Sequence, residues 1–470
     1  MTHHVSTIRS VIVSVTAILV AVSALALDSE KVLHTFSGGR DGAIGGSQLI
    51  ADSAGNLYGT TLSGGNKSTG CEGYTGVVGC GVVFKLTPGA HGSWKETVLY
   101  TFTGGKDGAH PVGGVTLDSA GNLYGTTRNG GVGVGVVFRL TPRAHGPWAE
   151  SVLYTFTGDG ELPFSGVILD SSGNLYGTAP QGGKHGSGVV FKLTPRAHGP
   201  WAQTVLYDFT GITDGNSPFG GLTFDSGGNL YGVTYVGGDT SVNCYGNTGC
   251  GVVFKLTPAR SGAWTETVLH AFTGGADGAV PLLGVILDSR GNVYGTTLFG
   301  GDTAANNCLG GDGFGVPAGC GVVFKLTPRA HGTWAETVLH AFTDGRDGAF
   351  SGDPLVFDLS GNLYGMAGNG GDLTAPCIFG IEKSLGCGVV FKLTPRAHGP
   401  WTETVLHTFS GGTDGGLPES NLILDSSGNL FGVTEGGGNT SECTGNEEGE
   451  SGCGVVFEIE QQNRDQSDDD

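Results

Sequence analysis

The chain has 470 residues, of which 91 are Gly, 18 are Pro and only 2 are Met, a composition that excludes a fold built on long helices. Its 23 basic and 43 acidic residues give a formal net charge of −20, which opposes binding to nucleic acid or to an anionic membrane surface. Hydrophobic residues make up 38% of the chain, enough for a core, so the glycines indicate turns rather than disorder.

The first residues have the order of charge and hydropathy that is typical of a secretory signal peptide. His3, His4 and Arg9 precede an apolar run over 11–22, and small residues follow up to Ala26. We therefore expect residues 1–26 to be removed on export and the mature protein to be secreted, either extracellular or periplasmic. The alternative is a membrane anchor, but a spanning helix needs roughly 20 apolar residues and this run is shorter.

Two motifs recur along the rest of the chain. The string Asp-x-x-Gly-Asn-(Leu/Val)-(Tyr/Phe)-Gly begins at Asp52, Asp118, Asp170, Asp225, Asp288, Asp358 and Asp425. Downstream of each lies Gly-Val-Val-Phe, ending at Phe84, Phe138, Phe191, Phe254, Phe324, Phe391 and Phe457. A repeat of about 50 residues is typical of the blades of a β-propeller.

Each copy has the pattern of four strands, as the third copy illustrates. The apolar run 167–169 predicts an inner strand buried on both faces, and the turn that follows it leads into a second strand at 175–178. A third strand is predicted at 188–193, and a half-exposed outer strand at 203–209. The sequence thus predicts an all-β fold, a seven-bladed β-propeller with four antiparallel strands per blade.

The order of the copies predicts how the ring closes. The last copy ends after its third strand, whereas a match to the missing fourth strand occurs at 32–36, before the first complete copy. We expect this N-terminal strand to complete the last blade, since closure removes open sheet edges. The propeller then spans 28–460 and is followed by a disordered acidic tail at 461–470. An open linear array of the copies is the alternative.

All ten cysteines occupy one place in the repeat, after the second strand, and only in copies that carry an insertion there. This co-occurrence predicts disulfides that close the long loops of an exported protein. A zinc site is the weaker alternative, because the spacing lacks adjacent His ligands. The predicted pairs are Cys71 with Cys80, Cys244 with Cys250, Cys308 with Cys320, Cys377 with Cys387, and Cys443 with Cys453.

The insertions lie on the same face of a propeller as the loops that join one blade to the next. Variable loops on a repeated scaffold are where binding usually resides, so this face is the candidate recognition surface. The candidate ligand contacts are apolar and aromatic residues of the insertions, which are suited to stacking on sugars or packing on a protein. The alternative is that the insertions are loops held by disulfides and have no binding role. The candidate contacts are Tyr74, Tyr245, Leu309, Phe314, Ile378 and Phe379.

The loops between blades repeat Gly-x-Asp-Gly. Their carboxylates would either cap their own turns, the interpretation that we favour, or point inward as a ring of Ca²⁺ ligands. They are Asp41, Asp107, Asp214, Asp277, Asp347 and Asp414, with Asp159 displaced in one copy. Five histidines after the Thr-Pro step (His91, His145, His198, His331 and His398) repeat too regularly for catalysis and predict a structural role against the Trp or the backbone.

No catalytic motif stands out, and no catalytic residue is assigned. The acids that break the repeat are spread over several blades with nothing to pair them, and we expect no cofactor other than calcium. These acids are Glu161, Asp353, Glu382, Glu419 and Glu435.

The motifs Asp-Ser-x-Gly-Asn-Leu-Tyr-Gly and Gly-Cys-Gly-Val-Val-Phe-Lys-Leu-Thr-Pro resemble those of the GloVer, or choice-of-anchor, tandem-repeat family of exported bacterial proteins over about residues 30 to 460. The resemblance implies export and a repetitive β architecture, and it brings no catalytic residues. We expect a secreted, monomeric and non-catalytic binding or structural scaffold for a carbohydrate or a surface protein. The alternative is a secreted carbohydrate-active hydrolase or lyase on a propeller.

Overall fold

The computed structural model describes residues 29–45, 48–65, 71, 77–131, 133–158, 160–242, 244–245, 248–302, 308, 315, 317–375, 377, 386–439, 441, 443 and 452–461. The predicted signal peptide and all of the predicted tail except Gln461 lie outside these residues. No helix within them is long and apolar enough to cross a bilayer.

The described residues form seven antiparallel sheets of four strands each, arranged as the blades of a propeller, which confirms the predicted fold class. In each blade the strands follow one another from the channel outward. Blade 1 contains β2 (Ile50–Ala51), β3 (Leu57–Thr61), β4 (Val82–Pro88) and β5 (Trp94–Thr101), and blade 2 contains β6 (Val115–Leu117), β7 (Leu123–Thr127), β8 (Val136–Thr141) and β9 (Ala149–Thr155).

Blades 3 to 7 repeat this order. Blade 3 contains β10 (Ile168–Leu169), β11 (Leu175–Ala179), β12 (Val189–Thr194) and β13 (Ala202–Asp208), and blade 4 contains β14 (Thr223–Phe224), β15 (Leu230–Thr234), β16 (Val252–Pro258) and β17 (Trp264–Ala271). Blade 5 contains β18 (Val285–Leu287), β19 (Val293–Thr296), β20 (Val322–Pro328) and β21 (Trp334–Ala341), and blade 6 contains β22 (Val356–Phe357), β23 (Leu363–Ala367), β24 (Val389–Thr394) and β25 (Thr402–Thr408). Blade 7 contains β26 (Ile423–Leu424), β27 (Leu430–Val433), β28 (Val455–Glu460) and β1 (Ser29–Thr35).

The ring closes through β1, as the order of the copies predicts. This strand pairs antiparallel with β28, with Val32 opposite Phe457, and so supplies the fourth strand of blade 7. Near the axis, the Asn421 side chain accepts a hydrogen bond from the backbone N–H of Leu49 at 2.7 Å and donates one to its carbonyl at 3.2 Å. Blades 7 and 1 are therefore joined at both the outer and the inner edge.

The repeated Asp anchors the turn between the first two strands of each blade. In blade 1, Asp52 Oδ1 accepts the backbone N–H groups of Ala54 and Asn56, while Oδ2 accepts the Asn56 amide at 2.7 Å and the Tyr58 hydroxyl at 2.9 Å. Burial alone would raise the pKa of Asp52, but these hydrogen bonds outweigh it and hold the pKa below its usual value. The motif thus closes the turn and ties it to the second strand.

The Phe of Gly-Val-Val-Phe and the Gly of Asn-Leu-Tyr-Gly depend on each other. A β-carbon placed on Gly59 would lie 2.7 Å from the Phe84 ring, too close for any larger residue. Each such Phe packs edge to face on the Phe that ends the outer strand of the preceding blade, at centroid distances of 5.1–5.3 Å. The seven pairs are Phe36 with Phe84, Phe102 with Phe138, Phe156 with Phe191, Phe209 with Phe254, Phe272 with Phe324, Phe342 with Phe391, and Phe409 with Phe457.

The inner strands differ from the prediction. They are two or three residues long, and Ile168 and Leu169 of blade 3 are half-buried rather than buried on both faces. Together the inner strands line an axial channel of about 520 Å³. The fully buried strand is the second one, such as β11, because it lies between neighbours on both sides. An apolar sequence does not reveal whether one of its faces meets a channel.

Neighbouring outer strands meet through a ring of polar side chains. Each pair joins a His or Tyr near the end of one outer strand to a Glu or Gln near the start of the next. The pairs are His34 with Glu96, Tyr100 with Glu150, Tyr154 with Gln203, Tyr207 with Glu266, His270 with Glu336, His340 with Glu403, and His407 with Glu30. The pKa of each of these Glu side chains is raised, first by burial.

Glu150 shows how poorly a carboxylate suits this ring. Burial, and then the negative charge of Asp107, raise the pKa of Glu150 to about 7, and its buried Oε1 has no hydrogen-bond partner. In blade 3 the corresponding residue is Gln203, which accepts the Tyr154 hydroxyl at 2.6 Å. A neutral amide therefore fits the position better than an ionised Glu.

We predict that Glu150→Gln stabilises the protein above neutral pH. Because the folded pKa exceeds that of the unfolded chain, ionisation opposes folding increasingly from about pH 4.5 upward, and fully above pH 7. The gain is expected to be about 1 kcal/mol at pH 8, reduced by solvent screening of a half-exposed group, and close to zero at pH 4. Denaturant unfolding at both pH values measures it.

Lys95, an exposed residue of the outer strand β5, supplies the control for this measurement. Lys95→Gln changes the charge of an outer strand but does not replace a member of the polar ring. A Glu150→Gln variant with the same stability gain at pH 4 and pH 8 would contradict the electrostatic explanation.

Candidate functional site

The insertion face of the propeller carries two sets of loops. The loops between the second and third strands and the loops between blades meet there in short bridges, for example Ala109 with Asn129 and Asn216 with Val236. The predicted location of the insertions is therefore correct. The opposite face carries the Asp-x-x-Gly-Asn turns.

The disulfides hold these loops in place, and all five predicted pairs are formed, with Cα–Cα distances of 5.1–5.3 Å. The carbonyl of the second Cys accepts a hydrogen bond from the next inter-blade loop, as Cys80 does from His110 at 2.9 Å. The donor residue has a left-handed backbone, with φ of 56° at His110. Each disulfide therefore positions both its own insertion and the inter-blade loop that follows.

A strip of aromatic rings lies in the loops of blades 3 and 4, close in sequence to Gly166 and Gly221, which line the channel. Phe164 and Phe219 pack edge to face at 5.0 Å, and Phe219 contacts Tyr235 at 5.4 Å. Tyr235 in turn lies 5.5 Å from Tyr245, with their hydroxyls hydrogen-bonded at 2.8 Å. The Arg128 guanidinium lies 4.5 Å over the Phe164 ring. We call Phe164, Phe219, Tyr235 and Tyr245 the aromatic strip; all four are half-buried.

Sequence reasoning found one member of the strip, Tyr245. The other five predicted ligand contacts, Tyr74, Leu309, Phe314, Ile378 and Phe379, lie outside the described residues. Phe164, Phe219 and Tyr235 were missed because they belong to the repeat and not to an insertion. The available signal was their departure from the repeat, since the position of Phe164 and Phe219 holds Val112, Leu282 or Glu419 in other blades.

Two acids interact in the loops that lead into blades 6 and 7. Asp353 leads into blade 6 and is 4% exposed, and Glu419 leads into blade 7. Burial, and then the charge of Glu419, raise the pKa of Asp353 well above its usual value, although the backbone N–H of Ser420 opposes this. The expectation that nothing pairs the non-repeated acids is therefore wrong. The two carboxyl groups form an acid pair in which burial and the neighbouring charge both favour the protonated form of Asp353.

The repeated Asp residues of the inter-blade loops are tied to their own turns. Asp107 accepts the backbone N–H of Thr103 at 2.8 Å and the Thr103 hydroxyl at 2.6 Å, and the Tyr100 hydroxyl contacts it at 3.1 Å. Asp41, Asp214, Asp277, Asp347 and Asp414 make the same bonds to the Ser or Thr four residues earlier.

These contacts are those of a turn cap, and none of the six carboxylates lines the channel where the structure describes it. The described residues contain no group of three or more His, Cys, Asp or Glu side chains able to hold a metal ion. Calcium binding stays a prediction, and the displaced Asp159 lies outside the described residues.

The structural role predicted for the five repeated histidines after the Thr-Pro step, against the Trp or the backbone, stays a prediction. All five are exposed on the face opposite the insertions, and His91 and His331 adopt positive φ of 58° and 63° within short 3₁₀ turns. Other histidines make specific contacts, such as His270 on an outer strand, whose Nε2 lies 3.2 Å from Asp277.

These features define a disulfide-stapled, seven-bladed β-propeller with loops gathered around one channel mouth. The chain belongs to the Gloeobacter/Verrucomicrobia repeat family, whose profile matches residues 70–309 and 243–467. The resemblance drawn from the two motifs is thereby confirmed.

Other comparisons show similarity at low identity. A gluconolactonase from Xanthomonas campestris is 13% identical, with a TM-score of 0.38 over 73% of this chain and 88% of that one. A puromycin-hydrolysing peptidase from Mycobacterium tuberculosis is 11% identical, with a TM-score of 0.46 over 87% of this chain and 52% of that one. No curated protein matches the chain. None of these similarities assigns an activity to this chain.

We predict that Asp353→Asn stabilises the protein at pH 7. Burial and Glu419 raise the pKa of Asp353 in the folded protein. At any pH above about 4, Asp353 is ionised in the unfolded chain, so folding must either bind a proton at Asp353 or bury its negative charge. Both oppose folding. An amide removes that requirement and still accepts the Ser420 N–H. The expected gain is of the order of 1–3 kcal/mol, typical of a poorly satisfied buried polar group, and denaturant unfolding from pH 4 to 8 measures it.

Asp170→Asn is the matched control with the opposite sign. The hydrogen bonds of its turn lower the pKa of Asp170 against the opposing effect of burial, so its contribution to stability is present above pH 4 and lost as the pH falls. The amide should destabilise the protein at pH 7, and the loss of stability should become smaller as the pH falls below 4. If both variants shift stability in the same direction at pH 7, the assignment of the two carboxyl environments fails.

Proposed function

We propose that the protein is an exported, non-catalytic binding propeller that holds a carbohydrate at the channel mouth of its insertion face. The observation that carries the proposal is the aromatic strip, four rings in mutual contact beside the opening. Half-buried Phe and Tyr rings present apolar faces suited to the C–H faces of sugars, and Tyr hydroxyls add hydrogen-bonding groups. The disulfides support the site by pinning its loops before a ligand arrives.

Charge supports a neutral or basic ligand rather than a polyanion. The chain has a formal net charge of −20, and the acid pair belongs to the loops of blades 6 and 7, whereas the strip belongs to those of blades 3 and 4. Neutral sugar hydroxyls can donate to Glu419 while their apolar faces stack on the strip. A surface protein is the other ligand class that the loops would suit.

Export is the second part of the proposal. Five disulfides are typical of a protein that folds in an oxidising compartment, and residues 1–26 have the pattern of a signal peptide. Cleavage after Ala26 would leave β1 intact for closure of the ring.

A hydrolase is the second candidate, favoured by the acid pair. Asp353, whose pKa is raised by burial and by the charge of Glu419, forms with Glu419 a pair of carboxyl groups of the kind that acid–base hydrolysis of a glycoside uses. In that case Asp353→Asn and Glu419→Gln would each abolish release of oligosaccharide while binding persists.

We predict that the purified protein retains a glycan on an array without releasing fragments. Phe219→Ala and Tyr245→Ala should then weaken binding of that glycan about tenfold each by calorimetry, since an aromatic stacking contact contributes about 0.5–1.5 kcal/mol beyond burial. Val112→Ala is the matched control, because Val112 occupies the position of Phe219 in blade 2, and it should bind normally.

Release of oligosaccharide that stops in Asp353→Asn would favour the hydrolase. Unchanged affinity in both strip variants would remove the strip as the binding site.

We predict that the mature protein begins at Leu27. Expression of the full chain in a bacterial host, followed by mass spectrometry of the periplasmic and culture fractions, determines this N-terminus. A mature protein that still contains residues 1–26 would contradict the signal-peptide assignment.

A further inference from the structure

An apolar cavity of about 250 Å³ lies at the seam between blades 7 and 1, on the face opposite the insertions. Its walls include the aromatic rings of Trp94 and Phe431 and the side chains of Leu57 and Ile423, and the carboxylates of Asp425 and Glu458 also line it. The two rings pack edge to face with centroids 6.1 Å apart. Ala51, Ile423 and Leu424 line both this cavity and the axial channel, so the cavity adjoins the channel away from the insertion loops.

Three departures from the repeat meet at this cavity. Ala51 occupies an inner-strand position that holds Leu or Phe in the other six blades, so space is left open. Phe431 replaces a Tyr found in the other six, and Glu458 replaces a Lys or Arg. Since all three residues line one cavity, the departures alter one site and are not scattered.

The replacements remove a hydroxyl and a positive charge. In the other blades the Tyr hydroxyl donates to the turn Asp at 2.9–3.2 Å, a bond that Asp425 lacks because Phe431 has no hydroxyl. In five of those blades a Lys ammonium also lies 5.2–5.4 Å from the centre of the Tyr ring. Blade 7 has a carboxylate in place of that ammonium.

The seam therefore holds more negative than positive charge. Asp425 and Glu458 line the cavity, and one ammonium, that of Lys31 on β1, lies 3.4 Å from Glu458. Burial raises the pKa of Glu458, Lys31 lowers it, and the charges of Glu460 and Asp425 raise it further. A second cation at the cavity would relieve the repulsion between the two carboxylates.

We propose that the seam cavity binds a small organic cation, an alkylated ammonium group held against the walls formed by Trp94 and Phe431, with Asp425 and Glu458 as counter-charges. Aromatic faces attract cations, most strongly those of Trp, and an alkylated ammonium has the apolar surface that such walls need. The cation takes the place of the Lys that the other blades carry. This site does not depend on the proposed carbohydrate site.

Calorimetric titration of the full-length mature protein with choline tests the proposal. Choline should bind saturably, and about tenfold more tightly than its neutral isostere 3,3-dimethylbutan-1-ol. Absence of saturable heat with choline overturns the proposal. Equal affinity for the neutral isostere also overturns it, because the cavity would then select shape and not charge.

Variants that restore the repeat locate the binding site. Ala51→Leu fills the cavity with the residue of blades 2, 3, 5 and 7 and should reduce choline affinity at least tenfold with circular dichroism unchanged. Phe431→Tyr, which supplies the missing donor to Asp425, should weaken binding as well and keeps the test decisive if the first variant misfolds. Full retention of choline binding in both variants places the ligand elsewhere and overturns the proposal.

Leu117→Ala is the matched control for space alone. It opens the corresponding position between blades 1 and 2, where Tyr58 and Lys85 are retained. No second choline site should appear there.

Lys31→Gln tests the counter-charges. It should increase choline affinity severalfold, because it removes the internal cation that competes for Glu458. A decrease in affinity would contradict the proposed counter-charges.

Discussion

The structure depends on one contact that occurs seven times, the edge-to-face packing of a Phe from one blade's outer strand on the Phe of the next blade's third strand. The second Phe also covers a Gly of its own blade, where a β-carbon would lie within 2.5–2.7 Å of the ring. The two repeated motifs therefore form a single packing unit. Because every blade uses the same unit, neighbouring blades meet at a similar angle and the ring can close.

Much of the fold could be predicted because its signals are local and repeated. The turn motif, the four strands and the disulfides each lie within one copy, and the strand at 32–36 reveals closure because it matches a segment missing from the last copy. The burial of the inner strand was not predictable in this way. Residues such as Ile168 are apolar in either environment, and only the arrangement of blades around the axis exposes one face to a channel.

The candidate site was less predictable, because it joins residues from different copies. Asp353 and Glu419 become neighbours only when blades 6 and 7 stand side by side, and no spacing in the sequence indicates this. The same is true of Phe164 and Phe219. Residue type also fails to predict charge state: hydrogen bonds lower the pKa of Asp170, whereas burial and a second carboxylate raise that of Asp353. Comparing equivalent positions across copies is the best available signal.

Closure by β1 has a consequence for how the protein reaches its folded state. The first strand to be synthesised must wait for β28, which is more than 400 residues behind it, while blades 1 to 6 are each complete in themselves. Contacts between such distant segments form slowly. During that interval one molecule presents an unpaired strand and an unpaired sheet edge of matching sequence. Two chains that fold close together can therefore exchange their first strands, so a high local concentration of folding chains would favour strand-swapped dimers.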